Sequence, residues 1–374
     1  MLGLRNRLTG RQSWGAKALA ASVLSLALAS VALAEHVGVN GKPSVDAALV
    51  SYTPASQLSG HLTIAGSDTM QPLLARLASE FRRLSPETKM AVQGGGTDAA
   101  IESLLQGIAA SRRGDGNVKG HLGSNRPLLL AFSRPLSAHE VAEFRARFGY
   151  EPLELPIAMD AIAVYVNKDN PIQSLRLDQV DAVFGKDRHR GSPDDIVTWG
   201  QLGLRGGWEN QPIRLYGRDK RSGTRTFFKH VALMDGEMKQ SVKEEPGSAS
   251  EILAIARDPL GIGYAGIGFQ ASMVRTVPLS DGAKPPVPPT AESVVNGTYP
   301  LGRALYLYVN QAPGTELKPI VLEFLKFINS RQGQEAVVKA GSFPLPAVQV
   351  AKNLKSLTGS DMAVAATSSQ AVSH

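Results

Sequence analysis

The chain contains no cysteine among its 374 residues. This absence excludes disulfide bonds, thiolate metal sites and thiol nucleophiles. It also excludes a lipid anchor attached to an N-terminal cysteine. A secreted protein without that anchor would diffuse away from a cell with a single membrane, so for an exported chain we expect a periplasm enclosed by an outer membrane.

Patterns typical of metalloenzymes and hydrolases are missing from the sequence as well. The seven histidines lie far apart, without the paired spacing of zinc ligands. No serine occupies a nucleophile-elbow motif, and no pair of carboxylates suggests hydrolysis. The segment GIGYAG at 261–266 matches a dinucleotide fingerprint, but a helix-like stretch precedes it where the fingerprint requires a strand. We therefore expect neither a metal nor a cofactor.

The N-terminus has the composition of a secretory signal peptide. Four cationic residues and no acidic residue occur before Ala34, and an apolar run fills residues 18–33. This run is shorter than the ~20 residues that span a bilayer, so we predict a signal peptide at 1–34 that is cleaved after Ala34. Loss of four cations would lower the formal charge from +7 to +3. Neither a basic face nor the interleaved aromatics of a nucleic-acid binder is visible.

The organisation of the remaining chain predicts two lobes of α/β structure. The 340 residues left after removal of 34 from 374 exceed one ordinary core. Residues 35–57 have few periodic apolar positions and predict a polar leader, while residues 351–374 are rich in Ala, Ser and Thr and predict a flexible tail. Between these ends, short apolar runs alternate with helical periods, which is typical of α/β architecture.

Several local patterns predict individual strands and helices. A nearly continuous apolar run at 157–166 predicts a strand buried on both faces and long enough to pass between lobes. Ser137 and Glu140 predict a capping box for a helix that ends at Gly149. Three further strands, each followed by an amphipathic helix, are predicted at 62–65, 90–93 and 213–216.

Three strand-to-helix junctions share glycine and hydroxyl residues. They are GSDT at 66–69, GGGTD at 94–98, and Arg218 followed by SGT at 222–224. The first N–H groups of a helix lack internal partners and its N-terminus carries positive potential, so such a junction suits an anion. One junction alone is more commonly an ordinary N-cap. Three at strand ends, one with an arginine, predict a shared site for a small oxyanion.

At these junctions the chain resembles the phosphate-binding proteins of ABC importers. The similarity runs over about 62–346 and includes the following landmarks: AGSDTM from Ala65, SRPL from Ser133, DAIAVYVNKDNP from Asp160, WGQLGL from Trp199, GRDKRSGT from Gly217, PGSAS from Pro246, GIGYAGIGF from Gly261 and YPLGRALYLYVN from Tyr299. The resemblance implies a two-lobed periplasmic binding protein fold of type II, with two mixed sheets and a hinge of crossing strands. It implies a first lobe at 58–156 and 268–350 and a second lobe at 157–267.

The resemblance also implies a function and a set of binding residues. The protein would capture inorganic phosphate in the periplasm and deliver it to a membrane ABC permease, and we expect a monomer. The candidate ligands offer hydroxyls, backbone N–H groups and guanidinium groups: Ser67, Asp68, Thr69, Gly96, Thr97, Asp98, Ser133, Arg134, Arg218, Ser222, Gly223 and Thr224. The alternatives are a binder of sulfate or molybdate, a phosphoryl-transfer enzyme, and a protein that uses the fold for adhesion or sensing.

Two positions depart from the family pattern. Much of the family has a carboxylate after the serine aligned with Ser133, where it accepts the proton of hydrogen phosphate, but this chain has Arg134 there. Asp98 stands where many relatives have a hydroxyl. Sulfate carries no proton at neutral pH, so a proton acceptor is the simplest way to reject it. Asp68 and Asp98 are the candidates for the missing acceptor, although each could instead cap its helix.

Overall fold

The computed structural model describes residues 43–55, 57–106, 128–269 and 271–358. The predicted signal peptide and the predicted tail beyond residue 358 lie outside these ranges. None of the helices within them is long and apolar enough to cross a membrane.

Strands and helices alternate along the described chain. The strands are β1 (Gly60–Gly66), β2 (Thr88–Gln93), β3 (Leu128–Phe132), β4 (Leu153–Asn167), β5 (Leu175–Arg176), β6 (Arg214–Arg218), β7 (Lys243–Glu245), β8 (Gly261–Gly266), β9 (Val274–Val277), β10 (Leu279–Ser280) and β11 (Gly302–Val309). The helices are α1 (Gln71–Leu84), α2 (Thr97–Gln106), α3 (Ala138–Phe148), α4 (Leu177–Phe184), α5 (Gly223–Ala232), α6 (Ser248–Ala256), α7 (Ala291–Val295), α8 (Pro319–Ile328), α9 (Arg331–Lys339) and α10 (Ala347–Thr358).

Strand β4 joins the two halves of the molecule. From Leu153 to Ala161 it pairs antiparallel with β11, and from Ile162 to Val166 it pairs antiparallel with β8. The strand order is β2-β1-β3-β11-β4-β8-β6-β7, with β9 also paired to β4. We call the elements on the β11 side lobe 1 and those on the β8 side lobe 2. The mixed α/β class is confirmed. The two predicted sheets share β4 and therefore form one continuous sheet.

The local sequence patterns are found where they were predicted. The middle of β4 is buried on both faces, since residues 161–166 are each at most 1% exposed. Ser137 accepts a hydrogen bond from the Glu140 N–H while its own N–H donates to the Glu140 carboxylate, and Gly149 ends α3 with a φ of 80°. The GIGYAG segment forms strand β8 after α6, so the strand–turn–helix context of a dinucleotide site is missing there.

The chain returns to lobe 1 later than the sequence predicted. Strand β9 pairs with residues 164–167 of β4, which is the lobe 2 half of that strand. Val277, Leu279 and Leu301 then pack in the core of lobe 2. We therefore assign residues 268–301 to lobe 2, and not to the C-terminal part of lobe 1. The sequence pattern of β9 does not specify which half of β4 it pairs with.

The predicted polar leader packs on lobe 1 in its described part. Leu49 is buried against Leu345. The ring of Tyr52 lies 5.7 Å from that of Phe327, and its hydroxyl donates to Glu323 over 2.9 Å. The leader prediction is wrong for residues 43–55, because buried side chains and hydrogen bonds to lobe 1, such as that from the Tyr52 N–H to Gln332 Oε1, hold the segment.

The predicted flexible tail is helical up to Thr358. Helix α10 covers the first eight of these residues, 351–358. The Asn353 side chain is buried and donates to the Pro156 carbonyl and to Asn329 Oδ1, each over 2.7 Å. The tail prediction is wrong here because Val350, Leu354 and Leu357 recur at helical spacing and pack on lobe 1, and the two hydrogen bonds of Asn353 add to this anchor.

We expect Tyr52→Ala to lower the free energy of unfolding by about 3 kcal/mol, because the substitution removes a buried ring and leaves a cavity. Val50→Ala is the matched control, since Val50 is 64% exposed and should change stability by less than about 0.5 kcal/mol. Denaturant unfolding of both variants measures the difference. Equally small effects would show that residues 43–55 contribute nothing to the fold.

Candidate functional site

The three predicted anion-binding junctions meet where the lobes face each other. In lobe 1, β1 leads into a 3-10 turn at Asp68–Met70 and then α1, and β2 leads into α2. In lobe 2, β6 leads into α5. The carboxyl ends of these three strands and the N-termini of the helices after them therefore border one cleft, as expected for ligand sites in α/β sheets.

Two pairs of hydroxyl groups lie in this cleft. Thr69 Oγ1 of lobe 1 is 2.7 Å from Thr224 Oγ1 of lobe 2, so this pair joins the lobes. Thr97 Oγ1 and Ser133 Oγ, both of lobe 1, are 3.1 Å apart. All four side chains are buried, with Thr97, Ser133 and Thr224 at 0% exposure. Four convergent hydroxyls provide donors without bulk.

The first turn of α5 packs directly on the second hydroxyl pair. A Cβ atom at Gly223 would lie 2.5 Å from Thr97 Oγ1 and 2.8 Å from Ser133 Oγ. A Cβ atom at Gly96 would lie 2.5 Å from the Arg221 carbonyl, and Gly96 has a φ of +91°. Glycine at these two positions is therefore required for the lobes to touch.

Arg218 is the cation at the end of β6, and its side chain is 1% exposed. Its Nη1 donates to Ser248 Oγ over 2.9 Å, and its Nη2 donates to the Pro246 carbonyl over 3.0 Å. Its Nε is buried and has no hydrogen-bond partner in the described part of the chain. Leaving a buried charged donor unpaired is costly. The group is therefore suited to an anionic acceptor.

The two serines at the helix starts differ in how they are used. Ser67 precedes the turn at Asp68–Met70, and its side chain makes no capping hydrogen bond. Ser222 caps α5 by accepting from the Arg225 N–H over 3.4 Å. Because a capping hydroxyl accepts, the Ser222 proton is still available for donation to a ligand.

Asp68 faces Arg218 across the lobe boundary. Its Oδ1 accepts from the Gly95 N–H over 3.1 Å and from Gln71 Nε2 over 3.2 Å. Its Oδ2 lies 3.6 Å from Arg218 Nη2. One carboxylate oxygen is thus fixed by two donors, and the other lies beside the guanidinium.

Arg134 and Asp98 pair with each other and not with the hydroxyls. Arg134 donates to both carboxylate oxygens of Glu140 over 2.8 Å and to Asp98 Oδ1 over 3.0 Å. Asp98 Oδ2 accepts from Thr226 of lobe 2 over 3.4 Å. Burial would raise the pKa of Glu140, but the hydrogen bonds from Arg134 and Ser137 hold it below its ordinary value. The structure therefore brings together ten of the twelve predicted residues and places these two charged groups in a separate ion cluster.

Two further charged residues of the cleft were not predicted. Asp160 of β4 and Arg303 of β11 are cross-strand partners in the β4–β11 ladder. Arg303 Nη1 donates to the Ser133 carbonyl over 2.8 Å, and Nη2 reaches Thr224 Oγ1 over 3.2 Å. The available signal was one charged residue, Asp160, within the apolar run at 157–166, and one charged residue, Arg303, in β11.

Glu251 of α6 was also missed. Its Oε1 accepts from the Tyr264 N–H over 2.8 Å, and burial raises its pKa to about 8. The carboxyl group is consequently neutral at pH 7, so Asp68 is the carboxylate that faces the positive charge of Arg218.

This arrangement suits reversible capture of a small oxyanion. It combines hydroxyl donors, helix N-termini and one buried guanidinium. Among the described residues no group of three His, Asp or Glu side chains could hold a metal ion. No described contact pairs a hydroxyl with a histidine base in the manner of a catalytic dyad.

A family model and two named relatives each match most of this chain. Residues 51–332 match the family model of a PBP superfamily domain. The chain is 41% identical to the phosphate-binding protein PstS of Pseudomonas aeruginosa over 84% of this chain and 92% of that protein. It is 26% identical to the phosphate-binding protein PstS of Bacillus subtilis, over 79% of this chain and 84% of the other.

Solved structures share the fold. A Clostridium perfringens chain with bound phosphate aligns with a TM-score of 0.60 at 22% identity, covering 76% of this chain and all of that one. An ABC-type phosphate transport receptor from Vibrio cholerae aligns with a TM-score of 0.55 at 20% identity, with the same coverage. These similarities confirm the predicted two-lobed fold.

We expect Gly223→Ala to hold the lobes apart, because its methyl group would meet Thr97 and Ser133 at less than contact distance. Small-angle scattering should give a larger radius of gyration than for the wild type. Gly207→Ala is the matched control in lobe 2, since a Cβ there would have no neighbour within 4 Å. Superimposable profiles for all three proteins would contradict this prediction.

Proposed function

This chain belongs to the PBP superfamily and to the family of the Pseudomonas phosphate-binding protein PstS, and we propose that it binds inorganic phosphate between its lobes for delivery to an ABC importer. The observation that carries the proposal is the buried Arg218 at the end of β6, whose Nε has no acceptor in the described chain. A phosphate oxygen supplies such an acceptor.

The number of donors is consistent with useful affinity. Micromolar binding requires about −8 kcal/mol, and a hydrogen bond to a charged group contributes roughly 1.5–3 kcal/mol before the costs of association. One junction would therefore be insufficient. The hydroxyls of Thr69, Thr97, Ser133 and Thr224, together with the α5 N-terminus and Arg218, supply enough donors from both lobes.

Binding is favoured over catalysis. One similar protein is named a phosphate-binding protein and another an ABC-type phosphate transport receptor. The cleft offers donors to an anion, but no described residue is placed as a nucleophile with its base. We therefore assign no enzymatic activity to the site.

The N-terminal sequence supports a periplasmic setting for this function. The basic and apolar N-terminus of the sequence supports export by a cleaved signal peptide, and the absence of cysteine favours a free periplasmic protein. We propose that a monomer carries phosphate to the membrane permease of the importer.

Arg218→Ala tests this function. We expect phosphate affinity to fall at least tenfold, because the variant loses the buried cation of the cleft. Arg214→Ala on the same strand is the matched control, since Arg214 pairs with Asp258 and its side chain is 51% exposed. Isothermal calorimetry with phosphate and sulfate measures both variants. If the wild-type protein does not bind phosphate, or if it binds sulfate more tightly than phosphate, the proposed function is wrong.

We propose that Asp68 accepts the proton of hydrogen phosphate. Arg134 occupies the position where the family carries a carboxylate, and the Asp98 carboxylate is paired with Arg134. Asp68 Oδ2 instead lies beside Arg218, the cation proposed to hold the anion. A carboxylate near a dianion is repulsive unless the ligand donates a proton to it, and sulfate has none.

Asp68→Asn should therefore narrow the preference for phosphate over sulfate by roughly tenfold, or about 1.4 kcal/mol, mainly through tighter sulfate binding. The amide oxygen of asparagine can still accept the hydrogen bonds from the Gly95 N–H and Gln71 Nε2, so the thermal midpoint should change little. Competition titrations of both anions provide the measurement, and Asp98→Asn is the control. If only Asp98→Asn changes the preference, the acceptor is Asp98, and if neither does, selectivity does not depend on a carboxylate.

A further inference from the structure

The Asp160–Arg303 ion pair lies at the point where β4 passes from one lobe to the other. The two residues are opposite each other in the β4–β11 ladder, and the β4–β8 pairing begins two residues later, at Ile162. The side chains are 3% and 1% exposed. Arg303 Nε and Nη2 both donate to Asp160 Oδ2, over 3.0 and 2.9 Å. The pair is therefore fixed in the frame of lobe 1.

Arg303 also contacts lobe 2. Its Nη2 donates to Thr224 Oγ1 over 3.2 Å, and its guanidinium carbon lies 5.5 Å from the centre of the Phe227 ring. Its remaining amino group, Nη1, donates to the Ser133 carbonyl. One planar guanidinium thus reaches three groups in three directions, which a lysine ammonium cannot do.

These contacts constrain the Thr224 hydroxyl. Since Arg303 can only donate, Thr224 Oγ1 must accept from it. The Thr224 proton is then directed elsewhere, either to Thr69 Oγ1 at 2.7 Å or to an anion in the cleft. The same guanidinium holds the backbone of Ser133, whose hydroxyl belongs to the second pair. Arg303 thereby connects hydroxyl donors of both lobes.

The energetics do not favour a stabilising role for this pair. Two charges buried to this degree lose their hydration, and their attraction often does no more than offset that loss. Burial lowers the pKa of Arg303. Its guanidinium and the Asp160 carboxylate are opposite charges in direct contact, so together they add no net charge to the cleft. A neutral buried pair adds no long-range attraction for an anion, and its effect must come from the groups that it positions.

We propose that Arg303, held by Asp160, is a positioning residue of the anion site. It orients the Thr224 hydroxyl toward the ligand, and it joins lobe 2 to lobe 1 by a hydrogen bond when the lobes close. This inference rests on the proposed binding of phosphate. It assigns to the pair a role in affinity and closure, and none in direct contact with the ligand.

The first test is a double-mutant cycle measured by calorimetry with inorganic phosphate. Arg303→Lys retains the charge and should weaken phosphate binding at least tenfold, and Thr224→Val should also weaken it. Because Arg303 acts through Thr224, the phosphate affinity of the double variant should be only slightly lower than that of the single variant with the lower affinity. Arg275→Lys is the control. Arg275 of β9 is partly buried and donates to the backbone carbonyls of Asn170 and Ile172, so this variant should bind phosphate as the wild type does.

The second test replaces the whole pair without changing net charge. Asp160→Leu combined with Arg303→Met leaves no unpaired buried charge, so the protein should remain folded. Its phosphate affinity should nevertheless fall at least tenfold, and scattering at saturating phosphate should show a less compact molecule than the wild type.

The outcomes separate this inference from the proposed function. Wild-type protein that does not bind phosphate would overturn the function itself. Wild-type protein that binds, together with unchanged affinity in Arg303→Lys or in the paired variant, would overturn the positioning role. Fully additive effects of Arg303→Lys and Thr224→Val would show that Arg303 does not act through Thr224.

Discussion

The division of β4 between two partners is the constraint on which the remaining structure depends. Its first part pairs with β11 and its second part with β8, so a single buried strand belongs to the ladders of both lobes. Because backbone hydrogen bonds fix both ladders, any rotation of the lobes would have to be absorbed at Ala161 and its neighbours, or where the chain returns into β11. The ends of β1, β2 and β6 can then approach across one cleft.

Where the two lobes meet, hydrogen-bond donors from both of them line the same cleft. Thr69, Thr97 and Ser133 come from lobe 1, while Arg218 and the α5 N-terminus come from lobe 2. Each lobe therefore supplies only part of the set of hydrogen-bond donors that the cleft offers to an anion. Affinity is therefore coupled to closure through the geometry of the fold, since the second half of the site arrives only when the lobes meet.

The charges around the cleft are arranged so that one cation dominates. Glu251 stays protonated at neutral pH because it is buried, and Arg303 is neutralised by Asp160. Arg134 occupies a position that carries a carboxylate in much of the family, and its charge is offset by Glu140 and Asp98. Arg218 consequently remains the main source of positive potential in the described part of the cleft, with the Asp68 carboxylate beside it.

The sequence by itself determined the features that depend on neighbouring residues. Glycine and hydroxyl residues at strand ends, the Ser137–Glu140 capping box and the long apolar run of β4 act over a few positions, so the chain specifies them locally. Only the tertiary structure decided which carboxylate faces Arg218, that residues 43–55 pack on lobe 1, and that Asp160 pairs with Arg303, 143 residues away. That pairing requires the register of β4 against β11, and register is set by the packing of the whole core on both faces of the sheet.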